Sequence, residues 1–88
     1  ENGHGAQYLQ AYPNPATEET MIYFDLPETY VNASIEIVNT LGSLIDVIKI
    51  NEQRGSVELN SESLAKGLYF YHLRIGNEKF TGGKILIN

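Results

Sequence analysis

The sequence predicts an all-β fold, an antiparallel sandwich of about seven strands. Three observations predict it. Apolar and polar residues alternate with a period of two in Met21–Leu26 and again in Leu68–Ile75, the pattern of a half-buried strand. Turn-forming Pro, Gly and Asn residues recur about every 8–12 residues, the spacing of a small sandwich. Composition agrees: 88 residues with 42% apolar and 19% charged side chains make one globular domain, well away from disorder.

The elements follow in order. Residues 1–6 carry two Gly, one Asn and no periodicity, which reads as a flexible leader to a domain spanning 7–88. Tyr8 to Tyr12 makes a short first strand. Pro13 and Pro15 end it, because each lacks a backbone donor and fixes φ; Asn14, preceding a proline, is pushed to extended geometry. In Met21–Leu26, Ile22, Phe24 and Leu26 share the inward face and Tyr23 and Asp25 the outward one, and Pro27 stops the strand. Ile35 and Ile37 point inward from the next. Asn39-Thr40-Leu41-Gly42 is a tight turn in which Gly42 supplies a positive φ.

The return strand, Ser43 to Ile50, admits two registers. Either Ile45 and Val47 face the core, or Leu44, Ile48 and Ile50 do, with Asp46 or Lys49 the awkward member; a bulge would reconcile them. The register with Ile45 and Val47 inward is preferred. Arg54-Gly55 turns the chain, and Val57 and Leu59 point inward. Asn60 to Leu64 reads as a capped single turn, Asn60 or Ser61 accepting backbone N–H bonds and Leu64 plugging the core. After Lys66-Gly67, Tyr69, Tyr71, Leu73 and Ile75 share one face, and Phe70, His72 and Arg74 the other. Gly76-Asn77 is a hairpin turn, and Glu78 to Asn88 the last strand, with Gly82-Gly83 a bulge or kink. The sum is an immunoglobulin-like antiparallel sandwich, in architecture alone, since the Cys and Trp hallmarks of antibody domains are missing.

Charge and composition exclude whole classes. A net charge of −5 and a pI near 4.8 argue against nucleic acid and anionic headgroups as partners. The six Lys and Arg are scattered along the chain, with no run of like charge. Without cysteine there is no disulfide, thiolate metal site or Cys nucleophile, so the sandwich closes by apolar packing. No segment approaches the roughly 20 apolar residues of a membrane span, so the chain is expected not to be membrane-embedded. Glu1-Asn2-Gly3-His4-Gly5 lacks the regions of a signal peptide, which makes an exported form a downstream piece of a longer precursor.

Candidate chemistry is sparse. Asp25, Glu36, Asp46 and Glu58 fall at outward positions of separate strands and read as solvated faces rather than a facing catalytic pair. His4 lies in the leader and His72 on an outward face, with no nucleophile elbow. No calcium loop or paired histidines appear, although Asp and Asn at turns can hold a weak Ca²⁺ ion. Tyr23, Phe70 and Tyr30 are candidates for exposed rings on a sugar-binding platform, against ordinary cross-strand packing. No catalytic residue, cofactor or metal site is therefore expected.

Five segments in series carry a resemblance: Tyr12-Pro13-Asn14-Pro15-Ala16, the inward Ile22-x-Phe24-x-Leu26, Ile37-Val38-Asn39-Thr40-Leu41-Gly42, Leu64-Ala65-Lys66-Gly67-Leu68-Tyr69-Phe70, and the terminal Lys84-Ile85-Leu86-Ile87. Over residues 8–88 the chain resembles the type A C-terminal sorting domain of the type IX secretion system of Bacteroidetes-phylum bacteria. Pro13, Asn14, Pro15, Asn39, Gly42, Gly67 and Tyr69 are the matching motif positions. The family's last strand often carries two or more basic residues; here Lys79 and Lys84 are split by Gly82-Gly83. The resemblance implies a sandwich covalently linked to upstream cargo and recognised by an outer-membrane translocon. It further implies periplasmic transit, then the cell surface or the medium, and removal by a sortase-like cell-surface cysteine protease that joins cargo to lipopolysaccharide.

Two expectations about sites accompany it. Lys84, Ile85, Leu86 and Ile87 are expected to meet the translocon by strand addition, because a terminal strand offers unpaired backbone groups. Processing is expected within Glu1 to Gln7, around Gly3 and Gly5. The expected state is a monomer, with a strand-swapped dimer open to an exposed last strand. The alternative is a fibronectin-like or carbohydrate-binding accessory module of a secreted enzyme.

Overall fold

A computed structural model describes residues 8–16 and 19–88, apart from the side chains of Ser61 and Thr81. The leader, with Gly3 and Gly5, lies outside the described residues. Among the described residues seven strands follow one another: β1 (Tyr8–Tyr12), β2 (Thr20–Asp25), β3 (Ala33–Asn39), β4 (Leu44–Ile50), β5 (Arg54–Leu59), β6 (Gly67–Ile75) and β7 (Glu78–Ile87). One 3₁₀ turn, Ser61–Ser63, precedes β6, and Asn60 Oδ1 caps it by accepting from Glu62 N at 3.1 Å.

The strands form two antiparallel sheets, β1-β2-β5 and β4-β3-β6-β7. The chain crosses between sheets after β2, β4 and β5, so that β2 pairs with β5 and β3 with β6, as in immunoglobulin-like sandwiches. A second hallmark of that architecture is present. Tyr69, near the start of β6, donates its hydroxyl to Ala65 O at 2.7 Å, four residues upstream, the geometry of a tyrosine corner.

The period-two segments pack as their patterns require. Ile22, Phe24, Leu26, Ile35, Ile37, Leu59, Tyr69, Tyr71, Leu73, Ile85 and Ile87 are all buried, and Val57, Leu64 and Ile75 pack partly buried against them. Burying an aliphatic side chain stabilises by about 1.5–3 kcal/mol, so these inward faces hold the sandwich shut without disulfides.

β4 corrects the preferred register. Ile45 is 38% exposed and Val47 49%, whereas Ile50 is buried and Ile48 half-buried. Leu44 is exposed as well, so only the second half of the alternative register holds. Pairing explains it: Ile37 opposes Asp46 but Val38 opposes Leu44, leaving Ile45 as the extra residue of a bulge. Beyond that bulge Val47 faces outward, opposite Glu36. A four-stranded layer also overhangs a three-stranded one, and β4 is the edge left over.

Gly82 forms the expected bulge in β7. The register shifts between Tyr71, opposite Gly83, and Leu73, opposite Phe80. A Cβ on Gly82 would collide with the Tyr71 carbonyl, and one on Gly83 would meet the Tyr71 ring. The Tyr71 hydroxyl then accepts from Ala11 N at 3.2 Å, tying β1 across to the other sheet.

Candidate recognition site

The chain turn at Pro13–Ala16 and the end of β7, some seventy residues apart, lie against each other. Pro13 and Pro15 have no N–H, so the turn is short of donors where it meets the strand. Asn14 supplies them from its side chain. Its Nδ2 donates to Lys84 O at 2.7 Å and its Oδ1 accepts from Leu86 N at 3.0 Å. A primary amide carries a donor and an acceptor side by side, so this side chain pairs with the strand edge as a peptide group would. Backbone pairing continues the contact: Ala16 N donates to Leu86 O at 2.8 Å, and Asn88 N to Ala16 O at 2.9 Å. Both X-Pro bonds of the turn are cis, and Thr20 Oγ1, fully buried, donates to Pro13 O at 2.8 Å.

Four hydrogen bonds therefore engage the β7 edge from Lys84 to Asn88. Of the four residues expected to meet a translocon, Ile85 and Ile87 are buried in the core, while Lys84 and Leu86 face outward. Other motif positions converge here. Gly67 opposes Ile87 and Tyr69 opposes Ile85; Asn39 opposes Tyr69 from the far side. Asn39 organises its own turn, its Oδ1 accepting from Leu41 N at 3.0 Å and Ser43 N at 2.9 Å. Gly42 then takes φ +84°, which a residue with a Cβ adopts at a cost of roughly 1 kcal/mol or more. Asn14, Gly67 and Tyr69 thus meet the terminal strand directly, while Asn39 and the Gly42 turn lie one strand farther on, across β6.

The carboxylates are not all solvated. Glu36 accepts from His72 Nε2 at 2.7 Å and lies 3.6 Å from Arg74 Nη1, with side-chain exposures of only 12% for Glu36 and 16% for His72. Asp25 is 3.4 Å from Arg54 in an exposed ion pair, the kind worth about 0–1 kcal/mol. Glu19 is pushed above the usual carboxylate range, chiefly by hydrogen bonding with Glu58 and then by its charge. No group of three or more metal-ligating side chains occurs among the described residues.

Exposed rings are Tyr8, Tyr12 and Tyr23, on the outer face of β1-β2-β5, whereas Phe70 and Tyr30 are half-buried. Of the three rings expected to be exposed, only Tyr23 is.

Comparison with known families agrees with the converging motifs. A family model described as the secretion system C-terminal sorting domain matches residues 10–88. The chain belongs to that family. No curated protein and no solved structure matches it significantly. The sorting domain is a C-terminal signal for type IX secretion, recognised by that machinery and leading to the cell surface or to release. Such a domain is an address, not a catalyst. Sequence reasoning read Asn14 as a turn residue and missed its pairing with β7; an Asn held between two prolines was the signal.

Proposed function

We propose that the outer-membrane translocon reads the folded sorting domain at the clasped end of β7, through the outward side chains of Lys84 and Leu86. The observation that carries this is the convergence of motif positions from two distant parts of the chain, Asn14 and the Gly67–Tyr69 segment, on residues 84–88. Strand addition at that edge requires the Asn14 clasp to open first, because the clasp already engages Lys84 O, Leu86 N and Leu86 O. Side-chain reading needs no such opening. Ile85 and Ile87 serve by holding the strand in the core.

Export in this reading passes through the periplasm, with the domain linked to upstream cargo. A sortase-like cysteine protease then cuts within residues 1–7, around Gly3 and Gly5, and joins the cargo to lipopolysaccharide. The domain acts as a monomer and has no catalytic role. Intact-mass analysis of exported cargo checks the cut; a cut inside residues 8–88 contradicts it.

The decisive experiment fuses residues 1–88 to a periplasm-directed fluorescent protein in a Bacteroidetes host with and without the translocon. Translocon-dependent appearance outside the cell is expected, and Lys84→Glu with Leu86→Ser should retain the folded fusion in the periplasm. Export of that folded variant at the parent level would overturn the reading. Deleting residues 84–88 is a poorer test, since it removes two buried isoleucines.

One observation favours a second reading. Tyr8, Tyr12 and Tyr23 present exposed rings on one sheet face beside Gln10, Asp25 and Glu58, the mixture of ring faces and polar groups that suits a sugar. Glycan-array binding lost in Tyr12→Ala would support an accessory carbohydrate-binding role.

A further inference from the structure

Residues that oppose each other in neighbouring strands share a sheet face, so register decides which scattered cations meet. Lys49, Ser34, Arg74 and Lys79 form one row across β4, β3, β6 and β7. Two residues further along comes Val47, Glu36 and His72, and beyond it Leu44, Val38, Phe70 and Lys84. Leu68 and Leu86 close the face. Four of the six cationic side chains of an acidic chain therefore lie on one sheet face. Glu36 is the one carboxylate in these rows, and His72 and Arg74 already engage it. Cations scattered along the chain, with no run of like charge, are thus brought to one face by the strand register.

Apolar side chains accompany the charge. Leu44, Ile45, Val47, Leu68 and Leu86 are each exposed by more than a third and belong to this face or its bulged edge. Beside them the Gly82-Gly83 bulge leaves a shallow hollow of about 280 Å³, lined by Phe70, His72 and Lys84. Contiguous exposed apolar surface rimmed by polar groups marks interaction sites on small domains.

We infer that the outer face of β4-β3-β6-β7 is the docking surface for an acidic protein surface with apolar residues at its centre, carried by the type IX machinery. This rests on the proposed function and extends its site from Lys84 and Leu86 across the whole sheet. Charge complementarity selects the partner's sign. Net charge selects a protein rather than a membrane. An acidic partner protein covers this face alone, whereas an extended anionic bilayer also meets the field of a chain that carries a net charge of −5.

The test uses the fluorescent fusion of residues 1–88 and an epitope-tagged translocon complex. Lys49→Glu with Lys79→Glu alters the row farthest from residues 84–88. Arg54→Glu with Thr29→Glu and Ser56→Glu makes the same change in net charge away from this face. Thermal melting checks the fold of each, and Lys49→Gln with Lys79→Gln replaces the first variant if it does not fold. Capture and surface export of the first variant should fall roughly tenfold, with the control within about twofold of the parent. Capture of the parent should also weaken as salt rises. If the parent is captured and exported but the row variant behaves identically, the docking face is wrong and the sorting reading stands. If the parent is not captured at all, the reading beneath it fails as well. Loss of binding to anionic-lipid vesicles, with translocon capture unchanged, would overturn the inference in favour of a membrane.

Discussion

The four-stranded sheet has two edges, and the molecule finishes them in different ways. At β7 a distant turn reaches across and occupies the backbone, Asn14 and Ala16 between them engaging Lys84 O, Leu86 N, Leu86 O and Asn88 N. At β4 no other segment is needed: a bulge at Ile45 and a charged Lys49 blunt the edge, both recognised devices against stray pairing. One edge is thus secured by long-range contacts and the other locally. Long-range protection brings the Pro13–Ala16 turn and residues 84–88 into one spot, which suits the proposed reading of a finished fold at that edge.

The largest effect that tests this contrast comes from the same truncation at each edge. Ile85→Ala, at a fully buried position, should cost about 2–5 kcal/mol in denaturant unfolding. Ile45→Ala, at the exposed bulge, should stay within about 1 kcal/mol. Equal losses would mean that β4 is covered and that the correction to its register is wrong.

Asn14→Ala comes next. It strips both partners from the β7 edge and leaves Lys84 O and Leu86 N to water, at a cost of about 1–2 kcal/mol. Hydrogen exchange should speed up at Leu86 and at Asn88. Protection unchanged at Leu86 would show that the clasp does not hold the strand. Asn14→Asp sharpens the result, because a carboxylate keeps the acceptor for Leu86 N but loses the donor to Lys84 O.

How far the chain was legible follows the same division. Ile22, Phe24 and Leu26, like Tyr69, Tyr71 and Leu73, declared their face through a period of two, because both neighbours of β2 and of β6 are present and the opposite sheet covers them. β4 did not, since which strand overhangs is a property of the assembled layers and not of residues 44–50. Asn14 was legible as a turn residue but not as a strand partner, its targets lying seventy residues away. Lys49, Arg74, Lys79 and Lys84 looked scattered because only the register, including the shift at Gly82, lines them up. His72 was assigned correctly to an outward face, yet its pairing with Glu36 depended on the same register.

Tyr71→Phe tests a third edge, that of β1, where the Tyr71 hydroxyl accepts from Ala11 N. Removing that hydroxyl leaves a buried donor unpaired and should cost about 1–2 kcal/mol at neutral pH. Its alkaline behaviour follows from the direction of its shift. Burial pushes the Tyr71 hydroxyl above the usual tyrosine value, with the Ala11 hydrogen bond opposing more weakly. The folded state therefore favours the protonated ring. That contribution is complete below the unfolded tyrosine value near 10 and is lost as pH rises through the higher folded value. The variant should lose less stability than the parent on raising the pH above about 10; identical alkaline slopes would mean that the ring is not held neutral by burial.

Asp46→Ala should have the smallest effect, and it probes the self-sufficiency of β4. Asp46 opposes Ile37 beside the bulge, and its Oδ1 accepts from Val47 N at 2.8 Å. The bond is between adjacent residues in an exposed position, so water replaces it readily when the carboxylate is removed. A loss within about 0.5 kcal/mol is expected, well below that of Asn14→Ala although both side chains bond strand backbone. The difference lies in what each bond restrains: Asn14 joins segments that would otherwise separate, whereas Asp46 restrains only its own neighbour. A loss from Asp46→Ala comparable to that from Asn14→Ala would show that the bulge needs its carboxylate, and that the β4 edge depends on a specific side chain as much as the β7 edge does.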